Sequence, residues 1–175
     1  MRKFFSIFVI IISYPSYSSV YANQEEPLEI SKSWSTFKCY TATGVIEMLA
    51  FKNGEKLSKV SREKGRLYIQ MADPKTRKIE IAYFAGFPLR SASQAALTVD
   101  KKIKFVLYSH PEPEGSEVKA YAWSHPNEDS KLIEALKKGE LATVESISHT
   151  GKVIKDTFSL SGFTSSLNFM KETCK

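Results

Sequence analysis

Short runs in which apolar and polar residues alternate at every second position constrain this chain more than any other feature. Leu67, Ile69 and Met71 interleave with Arg66, Tyr68 and Gln70, and Ile103, Phe105 and Leu107 with Lys102, Lys104 and Val106. Ile154, Phe158 and Leu160 share one face with Asp156, while Val153, Lys155, Thr157 and Ser159 take the other. A period of two sends successive side chains to opposite faces of a strand, so these runs read as half-buried antiparallel strands. Further strands are expected at 34–40, 45–51, 78–85, 95–99, 119–123 and 141–148. Turn signals divide them: Thr43-Gly44, Asp73-Pro74, Asp100-Lys101, the stretch 111–115 and Thr150-Gly151.

Two helices interrupt the alternation. Asn127 is placed to cap the first, with Glu128 and Asp129 beside the positive helix end and Leu132, Ile133 and Leu136 as its apolar stripe. Gly139 stops it. The second runs over 163–173, where Phe163, Leu167, Met170 and Cys174 fall on one helical face. The expected fold is mostly β: an antiparallel sandwich or flattened barrel of about eight strands with two short helices packed on it.

The first residues carry an address. Met1-Arg2-Lys3 is a positive start, Phe4 to Tyr14 is almost unbroken apolar sequence, and Val20-Tyr21-Ala22 supplies the small residues that signal peptidase needs. The apolar run is about eleven residues, too short for a bilayer that takes roughly 20. Residues 1–22 are therefore read as a cleaved signal peptide, 23–33 as a flexible leader, and 34–175 as one domain. No segment after cleavage is long and apolar enough to cross a membrane as a helix. The protein is expected to be exported to the periplasm or cell envelope, with surface exposure or secretion as further destinations. The formal charge of +6 falls by two when Arg2 and Lys3 leave. Such a moderate basic balance argues against nucleic acid and toward lipid headgroups, acidic polysaccharide or an acidic protein as electrostatic partners.

Cys39 and Cys174 are the two cysteines, and an even number in an exported chain favours a disulfide. A bridge between them encloses nearly the whole domain, worth on the order of 4–5 kcal/mol in the chain-entropy picture. No His neighbour or C-x-x-C arrangement marks either as reactive.

No catalytic constellation is legible, and neither a cofactor nor a metal is expected. His110, His125 and His149 lie in or beside expected loops without paired ligand spacing. The nucleophile elbow, the phosphate loop and the dinucleotide fingerprint are all missing. Asp156, on an apolar face, must be paired or hydrogen-bonded; the structural reading is favoured over a catalytic one. The window from Lys52 to Arg66 holds six basic residues against Glu55 and Glu63. Lys59, Arg62 and Lys64 are its candidate binding contacts, set on a long loop. The Gly86-Phe87-Pro88 turn and Trp123 are assigned to packing.

The stretch Asp156-Thr157-Phe158-Ser159-Leu160-Ser161-Gly162-Phe163-Thr164, with Cys174 beyond it, resembles the invasion-associated locus B family of alphaproteobacteria. Trp34 before Cys39, Gly86-Phe87-Pro88, Ala122-Trp123 and Lys138-Gly139 strengthen the resemblance, which runs from about Trp34 to Cys174. It implies an exported β-rich domain in which the two cysteines pair. Trp34, Gly86, Pro88, Trp123, Asp156, Gly162 and Phe163 become structural positions of the family pattern. It implies no known enzymatic activity and no cofactor. Blood-borne members are linked to entry into erythrocytes, while many relatives come from free-living or plant-associated bacteria. Lys101 departs from the glycine that relatives tend to carry in that hairpin, which implies a different turn or some strain.

The leading expectation is a non-enzymatic envelope protein that acts by binding an anionic envelope or host-surface component. The alternatives are a small periplasmic enzyme built on Asp156 and a loop histidine, and a structural or stress-protective envelope protein. Protein purified from its native compartment should give an intact mass beginning at Asn23. It should offer no thiol to alkylation before reduction and two after; a retained Met1 would overturn the export reading.

Overall fold

The alternating runs become strands that present one face to a shared interior. The computed structural model describes residues 26–109 and 117–174, and among them twelve strands form one antiparallel sheet. They are β1 (Glu29–Ser31), β2 (Trp34–Thr36), β3 (Tyr40–Gly44), β4 (Glu47–Lys52), β5 (Glu55–Lys56), β6 (Arg66–Asp73) and β7 (Lys78–Phe84). There follow β8 (Gln94–Val99), β9 (Ile103–Tyr108), β10 (Tyr121–Ser124), β11 (Leu141–Ile147) and β12 (Val153–Ser159). Helix α1 (Asp129–Lys138) stands between β10 and β11, and α2 (Phe163–Thr173) follows β12. The spatial order is β1-β2-β3-β6-β7-β10-β9-β8-β11-β12-β4-β5.

That order determines the shape. Strands β3 and β4 are consecutive, joined by Val45 and Ile46, yet lie near opposite ends of the sheet. The short connection is possible only if the sheet curls until its ends meet. The backbone N–H of Val45 donates to the Gly65 carbonyl (3.1 Å) on the β6 side and that of Ile46 to the Thr157 carbonyl (2.8 Å) on the β12 side, while the sheet itself stays open between β3 and β4. The result is sandwich-like, a flattened β fold as expected.

Inward positions fill the space between the facing halves. Leu67 and Ile69 of β6, Ile81 and Tyr83 of β7, Leu97 of β8, Leu107 of β9, Val144 of β11, and Ile154 and Phe158 of β12 are buried. Leu132 and Leu136 of α1, with Phe163, Leu167 and Met170 of α2, join the same core. Each such side chain gains about 1.5–3 kcal/mol from leaving water. Both helical stripes therefore face where the spacing puts them. Among the described residues no helix is long and apolar enough to cross a membrane.

Several local expectations change. The sheet has twelve strands rather than about eight: the 34–40 run divides at a turn into β2 and the start of β3, Phe37 N–H donating to the Tyr40 carbonyl (2.8 Å), and β1 and β5 form in segments read as leader and loop. Thr43 and Gly44, read as a turn, end β3. Part of the 23–33 leader is ordered as β1, whose Ile30 pairs with Ser35 of β2. Asn53 and Gly54, with φ of 51° and 85°, close a two-residue hairpin between β4 and β5 inside the expected long loop. Asn127 does not cap α1; its N–H donates to His125 Nδ1 (3.2 Å), and Glu128 occupies the cap. The expected cleavage site and the 111–115 turn lie outside the described residues.

The β8–β9 hairpin keeps positive φ at both Asp100 (50°) and Lys101 (58°). Asp100 is held there: its carboxylate accepts from the N–H groups of Glu140 (3.0 Å) and Leu141 (2.9 Å), which lower its pKa. Lys101 bears the left-handed strain without such help. Lys101→Gly should therefore raise stability by about 0.5–1 kcal/mol, read as a higher denaturant midpoint with an unchanged slope.

Candidate functional site

One buried polar cluster, one aromatic and covalent anchor and one aromatic surface come out of this fold. The first is internal. Arg62, in the loop between β5 and β6, turns inward and sets its Nη2 2.5 Å from Asp156 Oδ1 on β12. The Arg62 side chain is 4 % exposed and that of Asp156 fully buried. Arg62 also donates to the Ala85 carbonyl and lies over the Phe87 ring, 5.6 Å from its centroid. Tyr83, reaching from the opposite half of the sheet, donates its hydroxyl to Asp156 Oδ2 (2.8 Å) and lies 3.4 Å from the Ser146 hydroxyl. Burial pushes the Asp156 carboxyl above the ordinary carboxylate range, against the pull of Arg62 and Tyr83. Burial first, and the neighbouring Asp156 charge second, push the Tyr83 phenol up strongly. The carboxylate is thus engaged by Arg62 and Tyr83. His125 and His149 bond elsewhere, and His110 lies outside the described residues.

Gly86 explains how this loop docks. It has φ of +73°, and a Cβ there would sit 2.0 Å from the Glu63 carbonyl oxygen. Only glycine permits that approach, and the Glu63 N–H donates back to the Gly86 carbonyl (3.2 Å). Pro88 follows in the same turn, where its carbonyl accepts from the His149 N–H (3.0 Å).

The second constellation fastens the end of the chain. Trp34 is fully buried, donates its indole N–H to the Ser159 carbonyl (3.0 Å), and packs its ring 4.9 Å from that of Phe163. Gly162 precedes α2 with φ of +92°; a Cβ there would fall 2.0 Å from the Ser31 carbonyl oxygen. Cys39, in the β2–β3 turn, is bonded to Cys174 at the end of α2, with Cα atoms 4.7 Å apart and a sequence separation of 135. The expected disulfide is present.

The third feature faces outward. Register places Tyr68 of β6 and Trp123 of β10 directly on either side of Ala82 of β7. The small alanine leaves a trough between two large rings. Tyr40, Gln70 and Tyr121 complete the walls of this open cleft of about 330 Å³. Tyr121 stacks on Trp123 (centroids 5.6 Å) and lies 4.9 Å from Phe84, while Tyr40 stacks on Phe37 (4.4 Å). A second trough of about 390 Å³, floored by Ala42, continues past Tyr40 toward Ser35, Phe37 and Arg66. Together they make one groove running across the strands. Arg66 donates to the Tyr68 hydroxyl (3.3 Å) at its edge. Beyond the groove, the β1 edge carries Leu28 and Ile30, 58 % and 66 % exposed.

A comparison with known families decides the affiliation: the family described as Invasion associated locus B (IalB) protein matches residues 50–171. The chain belongs to this family. No curated protein and no solved structure matches it significantly. The IalB match spans Gly86, Trp123, Asp156, Gly162 and Phe163, while Trp34, Cys39 and Cys174, included in the expected resemblance, lie outside the matched residues.

Of the candidate contacts, Lys59 and Lys64 are exposed on the loop. Arg62 is a correction: its charge is spent inside the domain on Asp156, so it is not a surface contact. Trp123, assigned to packing, is half-buried and lines the groove. Tyr40, Tyr68 and Tyr121 were not singled out at all. Alternation places only Tyr68 on an outward face, and strand register brings it together with Tyr40 and Tyr121. A further cationic depression gathers Arg77, Lys78, Lys137 and Lys171. Burial, and then the charges of Lys137 and Arg77, lower the Lys171 pKa.

Removing one partner of a desolvated pair leaves the other charge stranded, whereas replacing both removes the problem. Arg62→Ala or Asp156→Ala alone should cost about 3–5 kcal/mol in denaturant unfolding, and Arg62→Met with Asp156→Leu distinctly less than the sum. Additive losses would refute the coupling.

Proposed function

We propose that this IalB chain is an exported, non-enzymatic envelope protein that works by binding, and that its working surface is the aromatic groove on the outer face of β3, β6, β7 and β10. The observation that carries this reading is the placing of Tyr68 and Trp123 around Ala82. Large amphipathic rings around a small floor residue form a preformed concave platform, and such rings dominate the energetics of recognition surfaces. Among the described residues both buried carboxylates are engaged, Asp156 by Arg62 and Tyr83 and Asp129 by the Ser124 hydroxyl, which favours a binding role over catalysis.

The expected setting is the periplasm or outer surface, where an anionic partner meets the exposed lysines of the β5–β6 loop. The family name speaks of invasion, and contact with a host cell is one setting for such a surface. Labelled exported protein should bind isolated envelopes or host cells saturably. Tyr68→Ala with Trp123→Ala should weaken that binding at least about tenfold, as expected for the loss of two stacking anchors. Raising salt should weaken it moderately, because exposed charges are screened over about 8 Å at physiological ionic strength. Equal binding by the wild type and the double variant would overturn the assignment of this face.

A further inference from the structure

We infer that the N-terminal arm of one copy, residues 23–31, docks as a strand on the open edge of β9 in a second copy, so that the protein assembles head to tail. The inference goes beyond the aromatic groove and does not rest on it. Three observations lead here.

The first is an unfinished edge within the sheet. Strand β9 pairs with β8 along its whole length, but β10 reaches only Leu107 and Tyr108 before the chain leaves for α1. Among the described residues no strand stands beside 103–106 on that side. The Ser109 N–H donates to the Ser93 carbonyl (3.0 Å), so the odd-numbered residues of β9 turn their backbone groups toward β8. Lys104 therefore directs its N–H and carbonyl into the open side. The same opening explains why Ile103, inward by register, is 50 % exposed. Between this edge and α1 lies a trough of about 590 Å³, walled by Ile103, Phe105, Ser130 and Ala135 and rimmed by Lys131 and Lys138. Open backbone groups beside an apolar floor suit an extended chain with apolar residues at alternate positions. An acyl chain would fill the trough and leave the Lys104 backbone unpaired.

The second is a strand poorly seated where it lies. Strand β1 is three residues long and pairs with β2 alone. Leu28 and Ile30, two positions apart, remain 58 % and 66 % exposed there. Glu29 faces the other way: its Oε1 accepts from the Ser31 hydroxyl (2.7 Å), while its Oε2 is buried without a hydrogen-bond partner, which disfavours that seat. On β9 of a second copy, Leu28 and Ile30 enter the trough beside Ile103 and Phe105, whose spacing they share. Glu29 then turns to the solvent face, where Lys104 stands.

The third is charge. From Asn23 to Ser31 the sequence holds Glu25, Glu26 and Glu29 and no basic residue. Lys102, Lys104, Lys131 and Lys138 flank the receiving edge, and among the described residues none of them is in an ion pair. The carboxylates beside them are committed: Asp100 accepts from the Glu140 and Leu141 N–H groups, and Glu134 holds Lys137 at 2.7 Å. The segment Pro111-Glu112-Pro113-Glu114 is also acidic, but its prolines cannot donate to a strand edge. Each copy thus offers one arm and one edge, and copies add in series.

Sedimentation velocity of the exported chain over a range of concentrations tests this. Wild type should shift from monomer to dimer and longer species as concentration rises, and added salt should weaken the shift. Two full-length variants each remove one half of the contact. Leu28→Glu with Ile30→Glu disables the arm, and Ile103→Asp disables the edge. All three positions are exposed, and unchanged far-ultraviolet dichroism separates lost association from lost folding. Each variant alone should stay monomeric at every concentration. Their equimolar mixture should form a one-to-one dimer and nothing larger, because one intact arm meets one intact edge. A synthetic peptide of residues 23–31 should return wild type to monomer, and the same peptide carrying both glutamates should not. The inference is overturned if wild type stays monomeric at its highest soluble concentration, or if the mixture forms no dimer. Association that survives Ile103→Asp but not the arm variant would mean that β1 edges pair with each other about a two-fold axis, and would overturn it as well.

Discussion

A buried arginine facing a buried aspartate is the constraint on which the rest of this structure turns. Arg62 and Asp156 cannot be desolvated separately without a large cost, so the loop that carries one must dock wherever the strand carries the other. That requirement pulls the β5–β6 loop over the end of the curled sheet and seats it against Gly86. The chain then leaves through Gly65 straight into Arg66 and Tyr68. The placement of the first aromatic wall of the groove is thus linked to an ion pair inside the domain. Tyr83 and Ser146 extend the pair across the interior and tie the two halves of the sheet through one polar cluster.

The opposite corner is held by different means. Trp34 fills the space between β2, the end of β12 and the first turn of α2, with its indole N–H satisfied by a backbone carbonyl. Gly162 lets the chain pass under Ser31, and the disulfide then anchors α2 to the β2–β3 turn. Polar complementarity at one end and aromatic packing with a covalent link at the other leave the middle of the sheet free to present its outer face.

Much of this was legible from residue order. The alternation in β6 and β12 divided inward from outward positions, because the period of a strand is a local property; in β9 it did so for Phe105 and Leu107, while Ile103 at the strand's start is 50 % exposed. The α2 stripe correctly aimed Cys174 inward for the same reason. The disulfide was expected from the even number of cysteines together with the export reading of the first residues. The Asn53-Gly54 hairpin carried a strong turn signal that the charge of the surrounding window obscured. What stayed hidden was everything that depends on which strands are neighbours. Arg62 looked like one more surface cation because nothing in its own segment marks it as inward; its partner is 94 residues away in sequence. Tyr68, Ala82 and Trp123 come from three strands, and each alone is an ordinary outward residue.

The disulfide also determines how the domain bears force. Cys39 and Cys174 enclose all but the first two strands, so tension applied to the segments before Cys39 and after Cys174 runs through the sulfur bridge. A pull of that kind peels β1 and β2 from the sheet edge and then stops at a covalent bond. Strands β3 to β12, with the groove they carry, stay out of the load path.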